Sequence, residues 1–340
     1  MLRRDLSHMN LLRAVGITLV VLRHSFSPYR NSWDVSKYYK YNIIADCLGQ
    51  YISTISMPLF VFISGYIYYY LRNNYGKYGN YKTLLKKKSR RLIVPYLILS
   101  PIYIYFLIDY SSLKSFLFYM WSGAGHLWFL LMMFFMFIIY YKFEKYLCKH
   151  YTLSILIGII LYLLALPLSY INLQPLSLVC KYYIFFQVGN LFNKYSSIIL
   201  IYLKGKVLYI FLLHLILFSF YFFLINFFQN KYILFAINKT QLVLSLLALC
   251  FIYGFLNILI VKYDSLLSKA KPIISYVNNN SYYLYLIHEP LLKVFFTFMF
   301  VQKMPIILAI SLAFIISMTI SLILGNLLMK LKLGRALIGS

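Results

Sequence analysis

The chain has 340 residues, of which 62% are hydrophobic and only 12% charged, and its mean hydropathy is +0.77; a soluble domain of this length is usually about half apolar, so that class is excluded. Net charge is +26, which in a soluble protein would suggest nucleic acid, but the Lys and Arg residues fall between apolar runs, where lipid topology explains them and no nucleic-acid partner is expected. Cys47, Cys148, Cys180 and Cys250 are widely spaced, without a CxxC or Cys/His cluster, so neither a disulfide framework nor a metal site is expected.

A helix needs roughly 20 mainly apolar residues to cross a bilayer. Such runs occur at 9–27, 43–71, 92–109, 126–142, 152–170, 176–193, 207–228, 240–260, 281–300 and 306–329. They predict an all-α polytopic membrane protein of about ten transmembrane helices, a single membrane domain over 1–340. Arg3 and Arg4 ahead of the first run imitate a signal peptide. Arg13 and Arg23 interrupt that run and no small-residue cleavage site follows, so it is expected to stay as the first helix. The second run is long and holds Pro58, which predicts a kink or a tilt. Residues 111–125 are amphipathic and contain Gly, the pattern of an interfacial or re-entrant piece.

Lys and Arg set orientation. With the N-terminus in the cytoplasm, Arg72, Lys77, Lys82, Lys86, Lys87, Lys88, Arg90 and Arg91 all lie inside, and the inner intervals taken together hold far more Lys and Arg than the outer ones. Both termini are therefore expected in the cytoplasm of a multi-pass cell-membrane protein. The 36 Tyr cluster near run ends, as in Tyr66, Tyr68, Tyr69 and Tyr70, which fits an interfacial aromatic belt. No internal repeat points to an inverted-repeat transporter.

The first run reads MNLLRAVGITLVVLRHSF. Arg13 and His24 are 11 residues apart, about three helical turns, so they share one stripe with an offset of about 20° and an axial separation of about 16 Å. Asn10 falls on the same stripe. Arg23 points elsewhere and can snorkel to the interface. A charge at the centre of a span costs at least about 2.5 kcal/mol on insertion scales, so such residues face a cavity or a partner. The competing reading makes Arg13 a cytoplasmic anchor and His24 an interfacial polar residue.

Four further stretches carry chemistry-bearing side chains. MPLFVFISGYIY holds Ser64 beside Gly65, a pair that also serves helix packing. KKKSRRLIVPY holds Arg90 and Arg91, which double as topology signals. GHLWFL places His126 and Trp128 at the start of the fourth run. SYYLYLIHEPLL puts His288 and Glu289 about 11 Å from the cytoplasmic end of the ninth. Ionisable residues at that depth point to function, although Glu289 paired with Arg13 at similar depth would be structural. Pro290 also frees the carbonyl of Leu286.

Together LLRAVGITLVVLRH, FISGY, RRLIVPY, HLWFL and SYYLYLIHEP resemble the acyltransferase 3 family of integral membrane O-acyltransferases, in the family's order and across most of the chain. The Arg-x10-His spacing is the specific part. The family commonly has an acidic residue two positions before its Arg, where this chain has Leu11. The resemblance implies transfer of an acyl group, most often acetyl, from a cytoplasmic acyl-CoA to a hydroxyl of a carbohydrate or lipid-linked glycan, with no permanently bound cofactor. It carries over Arg13 and His24 as the essential pair, and further Arg90, Arg91, His126 and His288. Acyl transfer needs a base and a holder for the developing oxyanion. His24 suits the base or a transient acyl carrier, with His126, His288 and Glu289 as further catalytic candidates. Arg13 suits CoA phosphates through its bidentate fork, with Arg90, Arg91 and Ser64 completing the donor side.

A glycan exporter or flippase fits buried charge in ten helices equally well, and would move glycan without any acyl donor. A membrane glycosyltransferase is disfavoured by the seven acidic residues. High Lys, Ile, Tyr, Asn and Phe with few Arg is the habit of an AT-rich bacterial source, which makes a cell-envelope polysaccharide the expected acceptor.

Overall fold

The computed structural model describes residues 2–108, 110–228 and 230–337, apart from the side chains of 2–7, 231–232, 264, 266, 333 and 336–337. The end of the expected 1–340 domain, 338–340, lies outside the described residues. Among the described residues the regular structure is helical, with no strand.

The first helix, α1 (Leu2–Ser25), is continuous. Pro28 has no N–H for the carbonyl of His24, so the helix ends on the turn that carries that histidine. The second expected span is two helices, α2 (Ile43–Ser53) and α3 (Ser56–Tyr75). They break at Thr54 and Ile55, where Pro58 cannot bond the Thr54 carbonyl, which bears out the expected kink. Next comes α4 (Tyr81–Lys88), then a wider π-helical turn over Ser89–Ile93, then α5 (Val94–Leu107). Pro95, which leaves the Arg91 carbonyl without its helical donor, accounts for that wider turn.

The amphipathic piece is a separate helix, α6 (Leu113–Ser122), capped by the Ser112 hydroxyl. Long helices follow: α7 (Trp128–Lys149), α8 (Tyr151–Tyr170) and α9 (Gln174–Lys194). Short α10 (Ser196–Leu203) leads to α11 (Val207–Phe227), short α12 (Lys231–Lys239) and α13 (Gln241–Lys262). The chain ends with α14 (Asp264–Thr297), α15 (Met299–Gln302), α16 (Ile306–Lys330) and α17 (Lys332–Leu337).

Seven segments among the described residues are long and apolar enough to cross a membrane: Ile43–Tyr75, Tyr81–Leu107, Gly125–Lys149, Tyr151–Tyr170, Val207–Phe227, Ile233–Lys262 and Ile306–Lys330. The other three expected spans correspond to α1, α9 and α14, where Arg, Lys, Asn and Gln lower the mean hydropathy without breaking the helix. On Val207–Phe227 only 17% of the apolar window is buried. A helix that is apolar all round yet uncovered needs hydrocarbon as its solvent.

The chain forms two compact units, Met1–Ile63 with Tyr195–Leu322, and Ser64–Lys194 with Ile323–Ser340. In the first, α1 packs along α14, and α11 against α13. In the second, α8 packs closely on α9: Gly158 lies where a Cβ would press on Ile184. Gly65 of α3 meets the carbonyl oxygen of Phe186 so closely that a Cβ would overlap it.

The ninth span needs correction. The apolar run begins at Ser281, but α14 begins at Asp264. Hydropathy marks where residues turn apolar, not where a helix starts, and Asn278 and Asn280 are buried in α14 rather than ending it. Glu289 therefore lies about 37 Å along its helix at 1.5 Å per residue, not near its beginning.

Candidate active site

Three of the residues singled out in the sequence meet in the first unit. His24 Nδ1 lies 3.4 Å from Glu289 Oε2, with the His24 side chain 13% exposed and that of Glu289 4%. The His288 ring stands edge-on to His24 at 5.1 Å between centroids. Arg13 sits on the same face at another level, where its Nη1 donates to Asn278 Oδ1 at 3.2 Å. Since Arg13 precedes His24 by the spacing at which Asn278 precedes Glu289, α1 and α14 run parallel and in step. Glu289 is thus the partner of His24; the competing structural reading, Glu289 paired with Arg13 at similar depth, does not hold, because the register of α1 on α14 sets Arg13 beside Asn278 instead. Continuity of α1 keeps Arg13 and His24 about 16 Å apart along its axis.

Hydrogen-bond chemistry sets the tautomers. His288 Nδ1 lies 2.9 Å from both the Leu284 and Tyr285 carbonyl oxygens. Carbonyls only accept, so Nδ1 carries the proton, and in the neutral ring Nε2 holds the lone pair. On His24 it is Nδ1 that faces the carboxylate, at 3.4 Å, which favours a proton on that nitrogen electrostatically. Its Nε2 lies 3.5 Å from Arg23 Nη1, a group that only donates, so the basic nitrogen and a guanidinium stand side by side. The expectation that Arg23 points elsewhere is corrected here: the helical wheel separates residues 23 and 24, but a long side chain reaches back across that angle. The His288 carbonyl accepts from Ser317 Oγ at 3.1 Å.

The segment between α1 and α2 brings a further aromatic to the site. Trp33 is half-buried, with its ring 5.9 Å from that of His24, and Lys293 Nζ lies 5.8 Å over the indole. Tyr39 donates to the Phe296 carbonyl at 2.7 Å, and Arg30 Nε bonds Asp46 Oδ1 at 2.9 Å. Burial pushes the Tyr29 phenol up to about 12. Burial together with a hydrogen bond to Asp46 pushes Tyr41 up to about 12 as well, so both remain neutral donors at ordinary pH.

Sequence reading missed Arg23, Trp33, Lys293 and Asn278. One signal was present: Asn278 and Glu289 repeat the spacing of Arg13 and His24. Trp33 carried none, because its place comes from how residues 26–42 fold back.

Ser64, Arg90, Arg91 and His126 belong to the second unit. Ser64 is half-buried beside the close approach at Gly65. Arg90 and Arg91 are exposed on the π-helical turn, beyond Lys88, whose Nζ lies 3.3 Å from the Phe137 ring centroid. His126 is buried in the 3-10 turn Gly125–Leu127, with its ring 5.5 Å from Tyr103. Gly125 takes φ +50° against that tyrosine ring, where a Cβ would overlap. A buried ion pair organises the unit: Arg72 Nε bonds Glu144 Oε1 at 2.8 Å, and Tyr68 donates to Glu144 Oε2.

Among the described residues no group of three or more His, Cys, Asp or Glu side chains is placed to hold a metal. An apolar groove of about 900 Å³ in the first unit includes Leu11, Val15 and Leu19 in its lining. None of Arg13, His24, His288 or Glu289 lines it, so it is not the seat of the chemistry. The site as built is a carboxylate-oriented imidazole beside a guanidinium, which suits moving a proton while stabilising a developing oxyanion.

In comparison with known proteins, a family model described as an acyltransferase domain matches residues 6–326, nearly the whole chain. No curated protein and no solved structure matches.

Proposed function

Because the chain belongs to the acyltransferase 3 family, and so is an acyltransferase acting on groups other than amino-acyl groups, we propose that it transfers an acyl group, acetyl in the first instance, from a cytoplasmic acyl-CoA to a hydroxyl of a cell-envelope polysaccharide or lipid-linked glycan. It is a multi-pass membrane protein, and the proposal gives it ten crossings with both termini in the cytoplasm. The observation that carries the reading is the His24–Glu289 contact beside Arg23.

In this reading Glu289 holds the Nδ1–H tautomer of His24, and Nε2 takes the proton of the acceptor hydroxyl. The freed oxygen attacks the acyl carbon. Arg23 donates to the oxyanion of the tetrahedral intermediate. That intermediate collapses with cleavage of the carbon–sulfur bond, and His24 returns its proton to the departing thiolate. Arg13, about 16 Å away along α1, holds donor phosphate, with Arg90, Arg91, Ser64 and neighbouring lysines assigned to guiding the anionic donor. His288 supports the His24 ring edge-on, and His126 keeps its assignment as a further catalytic candidate.

The test uses the full chain in lipid nanodiscs with radiolabelled acetyl-CoA and glycan from the native envelope. His24→Ala is expected to lose about 10²–10⁴-fold in turnover, and Arg13→Ala to weaken donor binding. Normal turnover in His24→Ala overturns the mechanism, and unchanged CoA affinity in Arg13→Ala overturns the donor assignment. Glycan translocated with no donor present, and no gain of an acyl mass, returns the exporter reading. Label retained on the protein without acceptor replaces direct transfer by a covalent acyl carrier.

A further inference from the structure

The segment over residues 26–42 is fixed in place by more than packing. Tyr39 bonds the Phe296 carbonyl, and its ring lies 5.2 Å from Tyr29 and 5.5 Å from Phe296. Arg30, Tyr41 and Gln50 all converge on Asp46. Inside this frame the backbone of Trp33 is tied twice to Ser36: its N–H donates to Ser36 Oγ at 3.3 Å, and its carbonyl accepts from the Ser36 N–H at 2.9 Å. The Trp33 ring packs on the rim of the adjoining cluster that contains Tyr29, Tyr39 and Phe296. It is only partly covered there, and lies beside the His24 imidazole.

We propose that Trp33 and Lys293 form the acceptor subsite, with the indole as a platform for a sugar ring and the ammonium group as the partner of a negative charge carried on that sugar. The proposal rests on the acyl-transfer reading and adds to it where the acceptor sugar sits and that this sugar is negatively charged. An indole face is electron-rich and attracts the polarised C–H groups of a pyranose face. At 5.9 Å from His24, a ring lying on the indole brings its own hydroxyls to the imidazole. Lys293 and Arg23 both lie at this end of the site. Two cations against the single Glu289 carboxylate beside His24 make this end of the site favourable to an anionic acceptor. The same arrangement gives a neutral hydrocarbon alcohol little to recognise.

The experiment measures acyl transfer by the full chain in nanodiscs from acetyl-CoA to methyl β-glucopyranoside and to the corresponding methyl glucuronide. The wild-type protein is expected to accept both, with the lower KM for the glucuronide. Trp33→Leu keeps apolar bulk but removes the flat face, and should raise KM for both glycosides about ten-fold with a much smaller change in kcat. Trp33→Phe should recover most of that loss. Lys293→Gln should bring the two glycosides to the same KM. A Trp33→Leu protein with unchanged KM overturns the platform, as does a loss that falls on kcat alone and that Trp33→Phe does not rescue. A glucuronide preference that survives Lys293→Gln overturns the charge assignment. If the wild type transfers acetyl to neither glycoside but does so to dodecanol, the sugar subsite fails while the acyltransferase reading stands. If it transfers acetyl to no hydroxyl acceptor, both fail together.

Discussion

A carboxylate 3.4 Å from an imidazole nitrogen does two things to His24. It favours the tautomer with the proton on Nδ1 electrostatically, and it offsets the positive charge that forms when Nε2 takes a second proton. Substituting Glu289 by Gln keeps the size and a hydrogen-bonding group but loses the second effect. Glu289→Gln is therefore expected to fold and insert normally while turnover falls by about 10²-fold or more. Glu289→Ala should be worse in a different way, because it also leaves a cavity beside His24, at a cost of about 2 kcal/mol or more. Turnover in nanodiscs paired with thermal melting separates the two. A Gln variant with wild-type turnover would make Glu289 a structural partner only. His288 is constrained differently: its Nδ1 is committed to two carbonyls of its own helix, so only Nε2 is left for chemistry or support.

Single positions also decide how closely whole helices approach. At Gly65 a Cβ would overlap the Phe186 carbonyl oxygen, whereas at Gly79 nothing lies within 4 Å. Gly65→Ala must force α3 away from α9, and overpacking of this kind costs about 1–3 kcal/mol. Gly79→Ala, on the connection to α4, should change stability little. A lower melting temperature for the first variant and not the second is the expected result, and equal melting temperatures would show that α3 can shift without cost. The Ser64–Gly65 pair illustrates what was legible in the sequence: small residues in an apolar run announce close packing, and α3 delivers it. Each of the ten expected runs falls largely on helix, the second on two helices and the ninth on the later part of a longer one, because periodicity and hydropathy are local properties. Glu289 was noticed but set at the wrong depth, since polar Asn and Lys residues lower hydropathy without ending α14. Trp33 and Arg23 were out of reach, because one depends on the fold of a connecting segment and the other on how far a side chain bends back. Glu144 escaped notice for a similar reason: its ion pair with Arg72 joins residues far apart in sequence.

On the scale of the whole chain, charge asymmetry is the strongest argument about orientation. Translocating Lys and Arg is disfavoured, and the interval between α3 and α5 alone carries Lys77, Lys82, Lys86, Lys87, Lys88, Arg90 and Arg91. That interval is expected in the cytoplasm, which puts the 26–42 segment, with Trp33, on the opposite side. The parallel run of α1 and α14 adds a constraint, because the chain must then enter both helices from the same side, with Arg13 and Asn278 near the entry and His24 and Glu289 near the exit. Single cysteines placed in a cysteine-free background test this directly. Asn31 and Lys77 are both exposed, and each lies between two apolar runs. On intact cells a membrane-impermeant maleimide should label Asn31→Cys, and should reach Lys77→Cys only after permeabilisation. The reverse pattern would invert the protein, leave His24 on the cytoplasmic side, and remove the reason for a donor path along α1. Labelling of both positions on intact cells would mean an even number of crossings between them. Since α2 and α3 together are the only apolar run in that interval, such a result would require the break at Thr54 and Ile55 to turn the chain back instead of merely bending it.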